Sequence, residues 1–218
     1  MKPRWRGEKS SHRDKLKGIS EREDELSDYR QSLFQYRSYT PIPFLIVMVL
    51  FATPTPSTIA GGFVLSLMGE SLRFWGVAYA GSLTRVTGNV GAPEVVISGP
   101  FAFLRNPLYV GNIFLYCGVG VAANALTPWL VIVALVYFIV QYWLIVSLEE
   151  EFLEKEFGAV YLEFKRNVPR FFPRLQPYHH EHQQSQKPDW REAVRSERRT
   201  FQAILLVYLI LILIWIWR

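Results

Sequence analysis

The chain has 218 residues, half of them apolar, yet it carries 24 basic and 19 acidic side chains at a mean hydropathy of +0.11. Such proportions require apolar and charged residues to be segregated along the sequence, which excludes an evenly mixed soluble domain and points to an all-α integral membrane protein. The net charge of +5 comes from two basic stretches with interspersed acids and no nucleic-acid-reading motif, so a membrane surface fits better than DNA or RNA.

Residues 1–38 form a hydrophilic arm without an apolar core, so no cleavable signal peptide is expected. Ser20 and Glu23 have capping-box spacing for a short helix through Tyr36, against which stands a solvated tail. Thr40 to Thr53 is apolar but short of the roughly twenty residues that span a bilayer, and Thr53-Pro-Thr-Pro then forces a turn. Ser57 to Ser82 is a second apolar segment, with Glu70 and Arg73 on one face and glycines suited to close packing. An ion pair near a helix end and a functional pair at membrane depth are both open readings.

Leu83 to Pro100 reads as a loop. Leu108 to Leu126 and Trp129 to Leu148 are uncharged runs joined by Thr127-Pro128, a transmembrane hairpin that places Arg105-Asn106 beside Glu149-Glu150-Glu151. In Glu149 to Arg170, Leu153, Phe157, Val160, Tyr161 and Phe164 recur at helical spacing, which predicts an amphipathic interfacial helix loosened at Gly158. Tyr178 to Arg199 is hydrophilic without strong pattern, and Phe201 to Trp217 is a last apolar segment.

The arm and Lys155 to Arg199 each hold ten Lys or Arg, and the two short turns hold none. The positive-inside rule then gives about five crossings, with the N-terminus and the site cytosolic and the C-terminus outside. The expected organisation is an arm (1–38), a membrane core (39–173), a polar loop (174–200) and a C-terminal helix (201–218).

Ser98 to Asn112, SGPFAFLRNPLYVGN, lies where a polar connection enters an apolar run. Pro107 suits the first turn of a helix, whose unpaired amides favour an anion, and Arg105 adds a planar clamp for carboxylate or phosphate. A ligand site is expected here.

Gly99, Pro100, Arg105, Pro107, Tyr109 and Gly111, then the hairpin, then Glu149, Glu150, Leu153, Phe157, Gly158, Tyr161, Val168, Pro169, Arg170 and Pro173 follow in an order and spacing that resembles the isoprenylcysteine carboxyl methyltransferase and phospholipid methyltransferase family. The resemblance covers about Ser66 to Pro173. It implies an S-adenosylmethionine-dependent transferase acting on a lipophilic acceptor from the bilayer, with no metal and with an interfacial helix closing a cytosolic-side pocket. On that basis Arg105, Asn106, Pro107, Tyr109 and Gly111 would hold the cofactor with Glu149, Glu150 and Tyr161. Arg170, Glu150 and Asn106 would stand at the reacting centre. The bland alternatives are a solvated glutamate cap, tyrosines that only anchor at the interface, and an Arg170 that only touches lipid phosphate.

The family position usually held by His is Asn106, which cannot take a proton at neutral pH. That leans towards O-methylation of an ionised carboxylate, with phospholipid N-methylation as the alternative, unless Glu150 or Glu70 serves as base; a neutral exchange is equally open. A second family Tyr is replaced by Phe164. Gly118-Val-Gly120 is assigned to helix packing, His179, His180 and His182 to a polar loop, and Cys117 to an apolar interior. A membrane NADPH-dependent reductase and a non-catalytic lipid-binding protein are the competing functions.

Overall fold

The computed structural model describes residues 29–81 and 94–218; the expectations for the first part of the arm and for most of the 83–100 loop lie outside those residues. The described residues are helical, with no strand among them. Six helices follow in chain order: α1 (Pro41–Leu50), α2 (Pro56–Ala80), α3 (Pro107–Ala123), α4 (Trp129–Phe157), α5 (Ala159–Asn167) and α6 (Trp190–Trp217). Residues 29–36 are also helical, and Phe34 is buried in the main core, so the end of the arm is docked rather than solvated.

The centre of the molecule is the α2–α3 pair, which glycines bring to backbone contact. A methyl group on Gly69 would lie 2.5 Å from the Gly111 carbonyl oxygen, and one on Gly62 would lie 2.4 Å from that of Gly118. The two glycines on each helix are seven residues apart, two helical turns, so both fall on the facing side. Gly118 therefore serves packing, as its sequence context indicated.

Thr55 caps α2 through a reciprocal side-chain exchange with Thr58. Asn124 ends α3 in the left-handed conformation, and its amide donates to the Thr53 carbonyl 3.0 Å away. Thr53 Oγ1 donates to the Asn124 carbonyl at 2.7 Å, which clips the two short uncharged turns together at one end of the bundle. Met48, Ala122, Phe138, Tyr142, Ile145 and Leu211 are among the residues filling the core between these helices.

Two expectations change. The stretch after Leu148 is not a helix of its own: α4 runs unbroken to Phe157 and turns at Gly158, whose φ of 53° suits glycine, into the short helix α5. The buried Tyr161 and Phe164 of α5 pack on Ile97, Val168 and Tyr178 in a second small core, so that apolar face is covered by protein. The polar loop is also shorter than expected, because α6 starts at Trp190, capped by Asp189, and runs through the charged residues into the apolar run.

Among the described residues α4 and α6 are long and apolar enough to cross a membrane. α1 and α3 are shorter apolar helices, and α2 is diluted by glycines, serines and the Glu70–Arg73 pair. A membrane-associated helical protein is thus the architecture; five crossings are not established by these lengths.

Candidate functional site

The segment leading into α3, the C-terminal part of α4 and the segment after α5 meet around Glu150. Its side chain is 3% exposed and lies between two guanidinium groups. Arg105 approaches Oε1 with Nε at 3.0 Å and Nη2 at 2.9 Å. Arg170 donates Nε to Oε1 at 3.2 Å and Nη2 to Oε2 at 2.6 Å. Lys165 stands 4.0 Å from Oε2 and is itself paired with Glu154.

The two arginines are not equivalent. Arg105 Nη1 also donates to the carbonyls of Lys165, at 2.8 Å, and Val168, at 2.6 Å, so its planar fork is almost fully engaged inside the protein. Arg170 is 22% exposed and stacks on the Trp143 ring at 4.7 Å, and its Nη1 has only a 3.5 Å contact to Ser147 Oγ. Arg170 therefore keeps donor capacity on its open side.

Backbone bonds hold this arrangement. Arg105 N donates to Pro169 O, Arg174 N to Phe103 O and Tyr178 N to Ala102 O, all within 3.0 Å, so the strap 169–178 is fastened along the segment before α3. Asn106 Nδ2 adds a 3.2 Å bond to the Arg170 carbonyl and fixes the residue that carries the exposed cation.

The three consecutive glutamates diverge instead of forming one solvated cap. Glu149 accepts from Tyr109 Oη at 2.8 Å, Glu150 from the two arginines, and Glu151 from Arg30 at 2.5 and 3.1 Å. Tyr109 also packs against Tyr142, with ring centroids 4.7 Å apart and the rings tilted by 42°. Tyr161 is buried in the second core, and burial together with the nearby Glu150 charge raises its pKa, so it is a neutral phenol. Pro107 is buried at the start of α3, and Gly111 has its Cα face taken up by Gly69 and the stem of Arg73.

A second buried charge cluster joins α2, α3 and α6. Arg73 Nη2 reaches both oxygens of Glu197 at 2.9 Å, its Nη1 donates to Asn112 Oδ1, and its Nε lies 3.3 Å from Glu70. Sequence reasoning found Glu70 and Arg73 but missed Glu197, and nothing in a hydrophilic decapeptide marks which acid turns inward. It also missed Arg30 and Arg37; the second of these lies over the Phe34 ring and acts electrostatically on Glu149.

Residues 57–160, from the start of α2 to the start of α5, match the family model for phospholipid methyltransferase. This segment, just under half of the chain, is a phospholipid methyltransferase family segment. It is 31% identical over 118 residues to the cobalt-zinc-cadmium resistance protein CzcN of Cupriavidus metallidurans, a match covering 52% of this chain and 50% of that protein. It is 32% identical over 82 residues to the nickel-cobalt-cadmium resistance protein NccN of Alcaligenes xylosoxydans xylosoxydans, covering 38% of this chain and 37% of that protein. The chain thus spans half or less of the curated relatives it matches. No solved structure matches it.

The phospholipid methyltransferase segment contains Arg105, Tyr109, Glu149 and Glu150, whereas Arg170, the strap and Glu197 lie beyond it. The charge cluster is thus completed by chain outside the matched segment. Among the described residues no group of three or more His, Cys, Asp or Glu is placed to hold a metal ion, and the rings of His180 and His182 stack on one another at 4.9 Å.

Proposed function

We propose that this protein transfers a methyl group from S-adenosylmethionine to a lipophilic acceptor in the membrane, at the cytosolic rim around Glu150. The observation that carries the reading is the Arg105–Glu150–Arg170 cluster, in which one arginine is consumed by structure and the other is left facing outward. The residues present fit the cofactor's chemistry. Arg170 can donate to a carboxylate, Glu149 and Glu150 can accept from an ammonium or ribose hydroxyl, and Ser98 Oγ is a buried polar atom without a partner among the described residues. When bound, the cofactor supplies an electrophilic methyl group on a sulfonium.

The chain's own contribution is then orientation and exclusion of water. Arg105 and Asn106 fix the strap, the strap fixes Arg170, and Tyr109 fixes Glu149. Alignment of an in-line displacement by such groups can supply several kcal/mol. In this reading Arg105, Asn106 and Tyr161 act as supports and Arg170 is the residue that touches ligand.

Asn106 offers no base, which supports an acceptor that is already ionised, such as the carboxylate of an isoprenylcysteine-like lipid. A phospholipid amine is the alternative acceptor, and the family description favours it.

The test is transfer of labelled methyl from S-adenosylmethionine into a lipid extract by the purified protein, with calorimetric binding of the cofactor in parallel. Label is expected in a lipid product, with binding lost in Arg170→Ala and Glu150→Ala. Binding of NADPH with no response to S-adenosylmethionine would select a reductase, and binding of neither would leave a lipid-binding protein.

A further inference from the structure

The strap 169–178 has a feature that the site does not use. Phe172 is 83% exposed and Leu175 fully exposed, although the backbone on either side is fastened by the bonds at Pro169, Arg174 and Tyr178. These bulky apolar side chains are therefore held outward by a braced backbone. Residues 165–177 contain Lys165, Arg166, Arg170 and Arg174 and no carboxylate. Arg174 Nη1 donates to the Asn167 carbonyl, the residue next in sequence to the exposed Arg166.

The position of the strap follows from α4. Val133, Val136, Val140 and Trp143 form an exposed apolar stripe along that helix, within the length able to cross a membrane. Phe171 packs on Trp143, with ring centroids 6.1 Å apart, so the strap continues the stripe directly. Trp143 precedes Glu149 by six residues, about 9 Å along the axis. The strap thus lies where the apolar stripe gives way to charge, the depth at which aromatic and basic residues anchor to lipid.

We propose that residues 170–177 are a foot seated in the headgroup boundary of an anionic leaflet, with Phe172 and Leu175 entering the acyl layer and Arg166 and Arg174 meeting lipid phosphates. This rests on membrane insertion of α4 but not on methyl transfer. Through Asn106 and the three backbone bonds, the foot fixes the depth of Arg170 and Glu150 at the lipid surface. A cation held near an anionic surface strengthens attachment about fivefold.

The experiment uses the full chain with Cys117→Ser and one added cysteine, at Phe172→Cys, Leu175→Cys or, as an aqueous reference, Ser185→Cys. Each carries a nitrobenzoxadiazole label and is reconstituted into phosphatidylcholine vesicles with or without phosphatidylglycerol. Variants are taken forward when they elute and melt as the parent does. Labels at 172 and 175 are expected to be quenched by acyl-brominated lipid and shielded severalfold from iodide relative to 185. Phosphatidylglycerol should increase the lipid contact, and Arg166→Gln should reduce that increase about fivefold. Iodide access equal to that at 185 overturns the foot. Shielding from both quenchers overturns it in favour of a protein partner, and indifference to phosphatidylglycerol overturns its anionic selectivity.

Discussion

Arg105, two residues before α3, and Glu150, seven residues before the end of α4, lie 2.9 Å apart, their side chains 9% and 3% exposed. The remaining donors of Arg105 go to carbonyls of the segment after α5, so this one pair ties α3, α4 and the strap together. A buried pair of this kind is costly to break from one side, because the survivor is left charged and desolvated. Glu150→Ala, which strands two arginines, is expected to destabilise the protein by about 3–5 kcal/mol. Arg105→Lys, which keeps charge but loses the fork, should lower the melting temperature less. Thermal unfolding in detergent checks both.

Arg170 should behave differently, because it is partly exposed and its ion pair is screened by solvent. Arg170→Lys is expected to leave the melting temperature within a few degrees of the parent and to weaken S-adenosylmethionine binding at least tenfold, since lysine cannot serve Glu150 and a ligand from one planar fork. Calorimetry beside a melting curve separates the two effects. Equal loss of stability and binding would make Arg170 another structural support.

Glu197 is fully buried and accepts both Nη2 bonds of Arg73, although it lies outside the family segment. Glu197→Ala should cost about 3–5 kcal/mol, while Glu192→Ala on the first turn of the same helix should cost less than about 1. If the two variants melt together, α6 does not depend on this contact.

The hairpin and the meeting of Arg105 with Glu150 were legible because two uncharged runs joined by a Thr-Pro turn leave few ways to arrange their charged flanks. What the spacing could not show was who satisfies whom. An arginine before a helix reads the same whether it awaits an anion or is already engaged by two carbonyls and a carboxylate. The periodicity of Tyr161 and Phe164 likewise marks an apolar face without naming its cover, which is Ile97 and Tyr178 rather than lipid. The decapeptide from Trp190 has only Trp190, Ala193 and Val194 as apolar side chains, and its helix is held by Ala193 in a small core with Val77 and Ala78, by Trp190 on Phe74 and by one acid meeting Arg73 across the bundle.

The α2–α3 contact gives a prediction that involves no charge. A side chain on Gly69 meets the Gly111 carbonyl, the Leu115 amide and the Phe114 Cβ within 2.9 Å, and backbone cannot step aside as a flexible side chain would. Gly69→Val should cost about 3 kcal/mol or more through overpacking. Gly61→Val, on the same helix but with nothing within 4 Å of an added Cβ, should cost under about 1 kcal/mol by the same measurement.

Tyr161 sets an alkaline limit. Its ionisation is raised above the ordinary value of 10.0, first by burial and then by the Glu150 charge, because the phenolate is disfavoured in the second core. A group whose folded value is raised contributes stability that is complete below the unfolded value and is lost as pH climbs through the folded one. Unfolding midpoints should therefore be insensitive to this residue between pH 7 and about 9 and should fall above about pH 10. Tyr161→Phe removes the ionisation, keeps the ring against Phe164, and should flatten part of that fall while leaving the neutral-pH midpoint nearly unchanged. A parent and a variant that decline in parallel above pH 10 would mean that the hydroxyl reaches solvent, contrary to its burial beside Val168 and Tyr178.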